Sequence, residues 1–116
     1  MHELSIIQSV VSTITEAMGT RPERILCVRL RVGALSGVVE GALQFGYEIA
    51  TEGTILQGSK LEVVNLPVMI YCKSCAELRE LDGVQSFRCP VCGALSGNIR
   101  QGRELEIESV EIEEAA

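Results

Sequence analysis

Four cysteines in this sequence are spaced to hold a metal ion. Cys72-Lys73-Ser74-Cys75 and Cys89-Pro90-Val91-Cys92 are two C-x-x-C pairs with thirteen residues between them. A C-x-x-C turn puts two sulfurs on one side of a tight loop, where backbone N–H groups of the turn offset thiolate charge. Two such knuckles face to face make a closed tetrahedral S4 site with metal–sulfur bonds near ~2.3 Å. Gly93 lets the second knuckle fold back without a Cβ clash. Thiolates select zinc or iron–sulfur over hard cations, so the expected ion is structural Zn(II) on Cys72, Cys75, Cys89 and Cys92. Four thiolates leave no open position, and no hydrolase is implied. A thioredoxin-like motif needs one pair at a strand-to-helix turn, and a disulfide framework conflicts with a cytosolic protein. Cys27, alone in a strand-like stretch, reads as a small hydrophobe.

The other ligand candidates lie at the start of the chain. His2 is the only histidine, and a bulky residue beside Met1 disfavours removal of that methionine. An α-amine, the amide and ring of His2, and the amide and carboxylate of Glu3 close five- and six-membered chelate rings. A nitrogen-rich, nearly planar donor set suits Ni(II) or Cu(II) far better than tetrahedral Zn(II). The competing reading is a surface histidine at a helix start, with Glu3 complementing the helix dipole. The residues alone leave both open.

Composition narrows the function class. With 116 residues, 47% apolar, the chain is one domain or one domain with a satellite. Aromatics are 3% with no Trp, so the core is built from Val, Ile and Leu. A net charge of −6 argues against nucleic acid. No signal-peptide pattern and no membrane-spanning stretch are visible, which sets the expectation of a cytoplasmic protein. There is no second His, no Ser/His/Asp set and no evident buried acidic pair, so no enzyme is expected.

The elements that must position these groups follow from periodicity. Leu4, Ile7, Val11, Ile14 and Met18, joined by Val10 and Ala17, make an amphipathic helix ending near Gly19. ILCVRLRV alternates, with Leu26, Val28, Leu30 and Val32 inward and Cys27, Arg29 and Arg31 outward. A second helix has Ser36 as N-cap, a stripe of Val39, Ala42, Leu43, Gly46, Ile49 and Ala50, and Gly53 past its end. KLEVVNL is a strand stopped by Pro67. GRELEIESVEIEE is a strand whose apolar residues change parity, so a bulge or change of partner is expected near Ser109. Its glutamates read as a solvated face. GALSGVVEGALQFG lacks both phosphate-loop patterns, and its small residues read as a turn and a close helix approach. The expected fold is α+β: two helices on one face of a small three-stranded sheet, with an inserted zinc-ribbon-like lobe. Residues 1–66 plus 102–116 form the α/β domain and 67–101 the zinc-binding insertion. That lobe has few large apolar groups, so zinc supplies the stability its core cannot.

The opening MHELS, the GTILQGSKLEV stretch, the knuckles with CPVCG and the closing G-x-ELEIESVEIE resemble the HypA/HybF family of hydrogenase nickel-maturation proteins. The resemblance covers essentially the whole chain in order. It implies a nickel metallochaperone with Ni(II) as transferred cargo, working with a HypB-type GTPase on the [NiFe]-hydrogenase large subunit, and in some organisms on urease. It implies His2 as nickel ligand, Cys72, Cys75, Cys89 and Cys92 as ligands of a structural zinc, and Glu3 at a position of nickel binding or partner contact. The alternative is a zinc-ribbon protein-interaction module without nickel transfer. The fourth nickel ligand is not written in the sequence. Nor is the oligomeric state, since a lobe hung from two strands can pack on its own chain or swap within a homodimer.

Overall fold

The computed structural model describes residues 3–114. Its elements are helix α1 (Glu3–Met18), strand β1 (Ile25–Gly33), a 3-10 turn (Ala34–Ser36), helix α2 (Glu40–Thr51), and strands β2 (Lys60–Leu66), β3 (Met69–Cys72), β4 (Glu77–Glu80), β5 (Ile99–Gln101) and β6 (Leu105–Ile112). They make two three-stranded sheets, ordered β2-β1-β6 and β4-β3-β5. The fold is α+β, as the periodicities require. The chain divides into two compact units, one of residues up to Leu30, Val38–Val63 and from Ile107 on, the other of Arg31–Gly37 and Val64–Glu106.

In the first unit the helices bury Ile6, Ile7, Val10, Ile14 and Met18 from α1 and Leu43, Gly46, Tyr47 and Thr51 from α2. Both stripes are rotated from the expected ones. Leu4 is 41% exposed and Ala17 is exposed, while Ile6 is buried. The cause is that α1 meets two surfaces. Leu4 lies across Gly46 of α2, whose missing side chain admits the α1 backbone, while Ile14 and Met18 share a groove with Ile107 and Val110 of β6. A helix packed on two sides buries a wider arc than one stripe.

On α2, Val39 and Ile49 are exposed, and Tyr47 is 3% exposed instead. Tyr47 Oη and Ser59 Oγ are 2.5 Å apart, and Thr51 Oγ1 donates to the Tyr47 carbonyl at 2.7 Å. Polar side chains with satisfied hydrogen bonds can occupy a core stripe that apolar periodicity assigns elsewhere. Ser36 is not the N-cap of α2. It belongs to the 3-10 turn, and Gly37 at φ +74° separates that turn from the helix, whose N-cap is Val39. Gly53, at φ +75°, does lie in the left-handed conformation past the helix end.

Strand β1 carries Val28 and Leu30 inward, but Ile25 is buried and Leu26 exposed, so the two-residue period breaks at the strand's first turn of pleat. Its outward face is polar and cross-linked. Arg29 reaches Glu62 of β2 through Nε (3.1 Å) and Nη2 (3.2 Å), and Ser109 of β6 through Nη1 (3.0 Å). One guanidinium thus ties all three strands. Along β6 the half-buried positions run Leu105, Ile107 and Ser109, then Val110 and Ile112. The parity change falls between Ser109 and Val110.

In the second unit, Val68, Ile70 and Leu81 form a small core against Leu35, Phe87 and Ile99. Sequence periodicity did not disclose β3, β4 and β5, which are only three or four residues long. Gly33 donates to the Glu104 carbonyl and Leu35 to the Gly102 carbonyl, both at 2.7 Å. A Cβ on Gly33 would fall on the Gly102 carbonyl and 2.6 Å from the Arg103 nitrogen. The glycine-rich stretch therefore does serve close approach, at Gly33 and Gly46, whereas Gly41 has open space around it.

Candidate metal centre

The first knuckle is a hairpin loop. Cys72 ends β3 and pairs with Glu77, which begins β4, and the intervening chain carries Cys75 followed by Ala76 in the left-handed region at φ +54°. The second knuckle is a tight turn in which Gly93, at φ +76°, donates to the Cys89 carbonyl at 2.8 Å. Cys89 in turn donates its N–H to Ala94 at 2.9 Å, and Arg88 bridges Leu95. Gly93 occupies the position that its lack of a Cβ suits.

These turns bring the four sulfurs within 4.8 Å of one another. Cys72 Sγ lies 3.5 Å from Cys92 Sγ, and Cys75 Sγ 3.8 Å from Cys89 Sγ. A tetrahedron of thiolates with metal–sulfur bonds of ~2.3 Å has edges of ~3.8 Å, whereas a disulfide requires ~2.05 Å. The spacing fits four separate ligands around one ion. Cys72 and Cys89 are buried, Cys75 is half-buried and Cys92 is exposed.

The electrostatics favour anionic sulfur on one side of the cluster. The Cys92 N–H hydrogen bond, with help from Val91 N–H, brings the Cys89 thiol down to about 6. At Cys92 the Ala94 N–H pulls downward. The opposing hydrogen bonding with Cys72, burial, and the neighbouring Cys89 and Cys75 outweigh it and push Cys92 up to about 11. Four thiols this close cannot all ionise without a cation to absorb their charge, and a bound ion deprotonates them outright. The donor set and its geometry therefore fit a thiolate-seeking, tetrahedral metal.

Among the described residues, ligand-type side chains gather into a metal-holding group only at these four cysteines. Cys27 takes no part in it. It is half-buried, with burial first and then Glu62 raising its thiol pKa, as suits an inert cysteine. His2 lies outside the described residues. Glu3 opens α1, and its Oε2 accepts a hydrogen bond from the Val39 N–H at 3.1 Å. Beside the hairpin, Arg79 of β4 is engaged by Glu77, Nη1 to Oε2 at 2.9 Å.

Comparison with known proteins gives a consistent picture. Residues 1–112 match the family described as "Hydrogenase/urease nickel incorporation, metallochaperone, hypA". A Hydrogenase maturation factor HypA from Roseiflexus sp. (strain RS-1) is 44% identical over 115 residues, spanning 98% of this chain and 94% of that one. Its counterpart from Chloroflexus aurantiacus (strain ATCC 29366 / DSM 635 / J-10-fl) is 43% identical over 112 residues, 96% of this chain and 98% of that one. The solution structure of the Ni metallochaperone HypA from Helicobacter pylori superposes with a TM-score of 0.64 at 23% identity, covering 97% of each chain. At that identity the likeness concerns the fold.

Proposed function

We propose, for a chain that belongs to the HypA family of hydrogenase/urease nickel-incorporation metallochaperones, that it carries Ni(II) on residues 1–3 of the sequence and delivers it for [NiFe]-hydrogenase maturation. In this reading His2 is a nickel ligand and Glu3 contributes to the same site. Zn(II) occupies Cys72, Cys75, Cys89 and Cys92 as a structural ion. The observation that carries the reading is the family match from residue 1 onward, which takes in His2 and Glu3. The protein performs no bond chemistry and acts in the cytoplasm. A HypB-type GTPase and the hydrogenase large subunit are its partners, with urease a second recipient where present.

The division of labour follows from donor chemistry. Zn(II) supplies stability to a lobe whose buried core is only Val68, Ile70 and Leu81 with three partly buried neighbours; structural zinc contributes on the order of 10–16 kcal/mol in small metal-dependent folds. Residues 67–101 act as the zinc-binding domain, and 1–66 with 102–116 as the nickel-binding one. Nitrogen donors from the first residues of the sequence hold nickel weakly enough to release it to a partner that completes the coordination sphere.

Nickel titration with metal analysis tests the reading. The unmodified protein is expected to hold one zinc and take up one further Ni(II). His2→Ala, or a Gly-Ser extension ahead of Met1, is expected to weaken nickel uptake by about tenfold or more with zinc retained. Cys89→Ser is expected to lose zinc and hydrogen-exchange protection across residues 67–101 while the helices of the first unit persist. Uptake of zinc alone, with added Ni(II) ignored, would instead make the protein a zinc-ribbon interaction module.

A further inference from the structure

Helix α2 turns an apolar face to solvent. Ala42, Phe45 and Ile49 follow one another at i, i+3 and i+7, so they share one side of the helix. Phe45 is 67% exposed and Ile49 51%, and Val39 at the helix start is exposed as well. The chain has only two phenylalanines, and one of them stands in water while the opposite side of α2 buries Leu43 and Tyr47. Periodicity asks for a buried stripe through Val39, Ala42 and Ile49, yet among the described residues nothing covers Val39 or Ile49. A helix with two apolar sides is built to pack on two surfaces. Leu4 of α1 widens the face. It is 41% exposed, and its Cδ1 would lie 3.6 Å from a Cβ on Gly46.

Charge decides what fits this face. Helix α2 and its C-cap carry Glu40, Glu48 and Glu52 and no Lys, Arg or His. Glu48 and Glu52 are exposed and stand at i+3 and i+7 from Phe45, along the border of the apolar stripe. A second copy of the chain would set glutamates against glutamates, with no base on either α2 to form flanking ion pairs. The net charge of −6 opposes that association further. A helix of another protein, with Lys or Arg bordering its own apolar stripe, meets both the shape and the charge.

We propose that the face of Leu4, Ala42, Phe45 and Ile49 is the docking surface for a partner protein's amphipathic helix whose apolar stripe is bordered by Lys or Arg. The place of this face gives the docking its use. Glu3 Oε2 accepts the Val39 N–H at 3.1 Å, so a helix seated on α2 stands alongside Glu3. From there the partner can present the ligands that complete the coordination sphere of departing nickel. That last step rests on the reading of residues 1–3 as the nickel carrier; the docking face does not.

The test uses the full chain, isotope-labelled for NMR, with two synthetic helical peptides as probes. Both peptides carry leucines at i, i+3 and i+7; one borders them with lysines and the other with glutamates. The lysine peptide is expected to shift the amide resonances of Leu4, Ala42, Phe45 and Ile49. It is expected to bind about tenfold or more tightly than the glutamate peptide. Phe45→Ser and Ile49→Ser, both at exposed positions, are expected to keep the parental Tm and each to weaken the lysine peptide about tenfold. Joint Glu48→Lys and Glu52→Lys substitution is expected to reverse the preference in favour of the glutamate peptide. Equal affinity for the two peptides, binding indifferent to Phe45→Ser, or resonance shifts confined to another surface overturns the proposal. So does the absence of binding at about 1 mM lysine peptide. A chain that sediments as a dimer and becomes monomeric with Phe45→Ser assigns the face to a second copy and overturns it as well. A parent that bound the lysine peptide on this face but took up no Ni(II) would retire the nickel reading and leave the docking surface standing.

Discussion

The carboxylate of Glu3, in the first turn of α1, accepts a hydrogen bond from the backbone N–H of Val39, the N-cap residue of α2, at 3.1 Å. Val39 has no side chain that can cap its own helix, so a residue from the neighbouring helix meets that backbone donor. A carboxylate at this end also complements the positive pole of α2. The nickel-site candidate Glu3 therefore has a structural duty that its position in the sequence does not advertise.

Removing that acceptor is expected to cost stability. Glu3→Ala leaves a backbone donor to water, and losses of helix-capping acceptors run about 0.5–2 kcal/mol. The exposed setting of the bond places the effect at the lower end, a fall in Tm of about 2 °C for a chain of this size. Glu3→Gln retains an acceptor oxygen and is expected to recover most of the loss. Thermal unfolding by circular dichroism checks both. If the Ala variant kept its Tm but lost nickel, ligation would be the principal role of Glu3.

The glycines make a sharper pair. A Cβ on Gly33 collides with backbone at Gly102 and Arg103, and backbone cannot swing aside as a side chain end can. Gly33→Ala is therefore expected to lose about 2–4 kcal/mol, as overpacked and strained sites do. Gly41 is in the first turn of α2 with nothing within 4 Å of a new Cβ. Gly41→Ala is expected to gain up to about 0.5–1 kcal/mol from helix propensity. Urea unfolding midpoints measure both, and opposite signs are the expected result.

Such contrasts mark what the sequence carried. The cluster of four cysteines was legible because C-x-x-C spacing is itself the geometry, and the two knuckles do converge. The helices and the strands of the first sheet were legible from their periods. The rotation of the helical faces was not, because Tyr47 and Thr51 bury polar groups that bond to Ser59 and to the Tyr47 carbonyl. The N-cap assigned to Ser36 failed because Gly37 turns the chain before the helix begins. The three strands of the second sheet are too short to show a period.

The acid side of the stability profile is expected to run through Glu62. Hydrogen bonding to Arg29, followed by the charge of that guanidinium, holds the Glu62 carboxyl below its ordinary value of 4.5. A carboxyl depressed in the folded state binds fewer protons there than in the unfolded chain. Its stabilising contribution is therefore fully present above the unfolded value and is lost as pH falls from that value through the folded one. The bond is exposed and screened by salt, so the effect on Tm is a modest downturn below about pH 4.5, the ordinary carboxyl value. Arg29 also holds Ser109 of β6, so Arg29→Met is expected to lower Tm at every pH and, separately, to flatten that downturn. Glu62→Gln is expected to flatten the downturn while retaining the Ser109 contact. Tm followed across the acid range at low and high salt distinguishes the two. A Glu62→Gln protein with the parental acid slope would assign the downturn to other carboxylates.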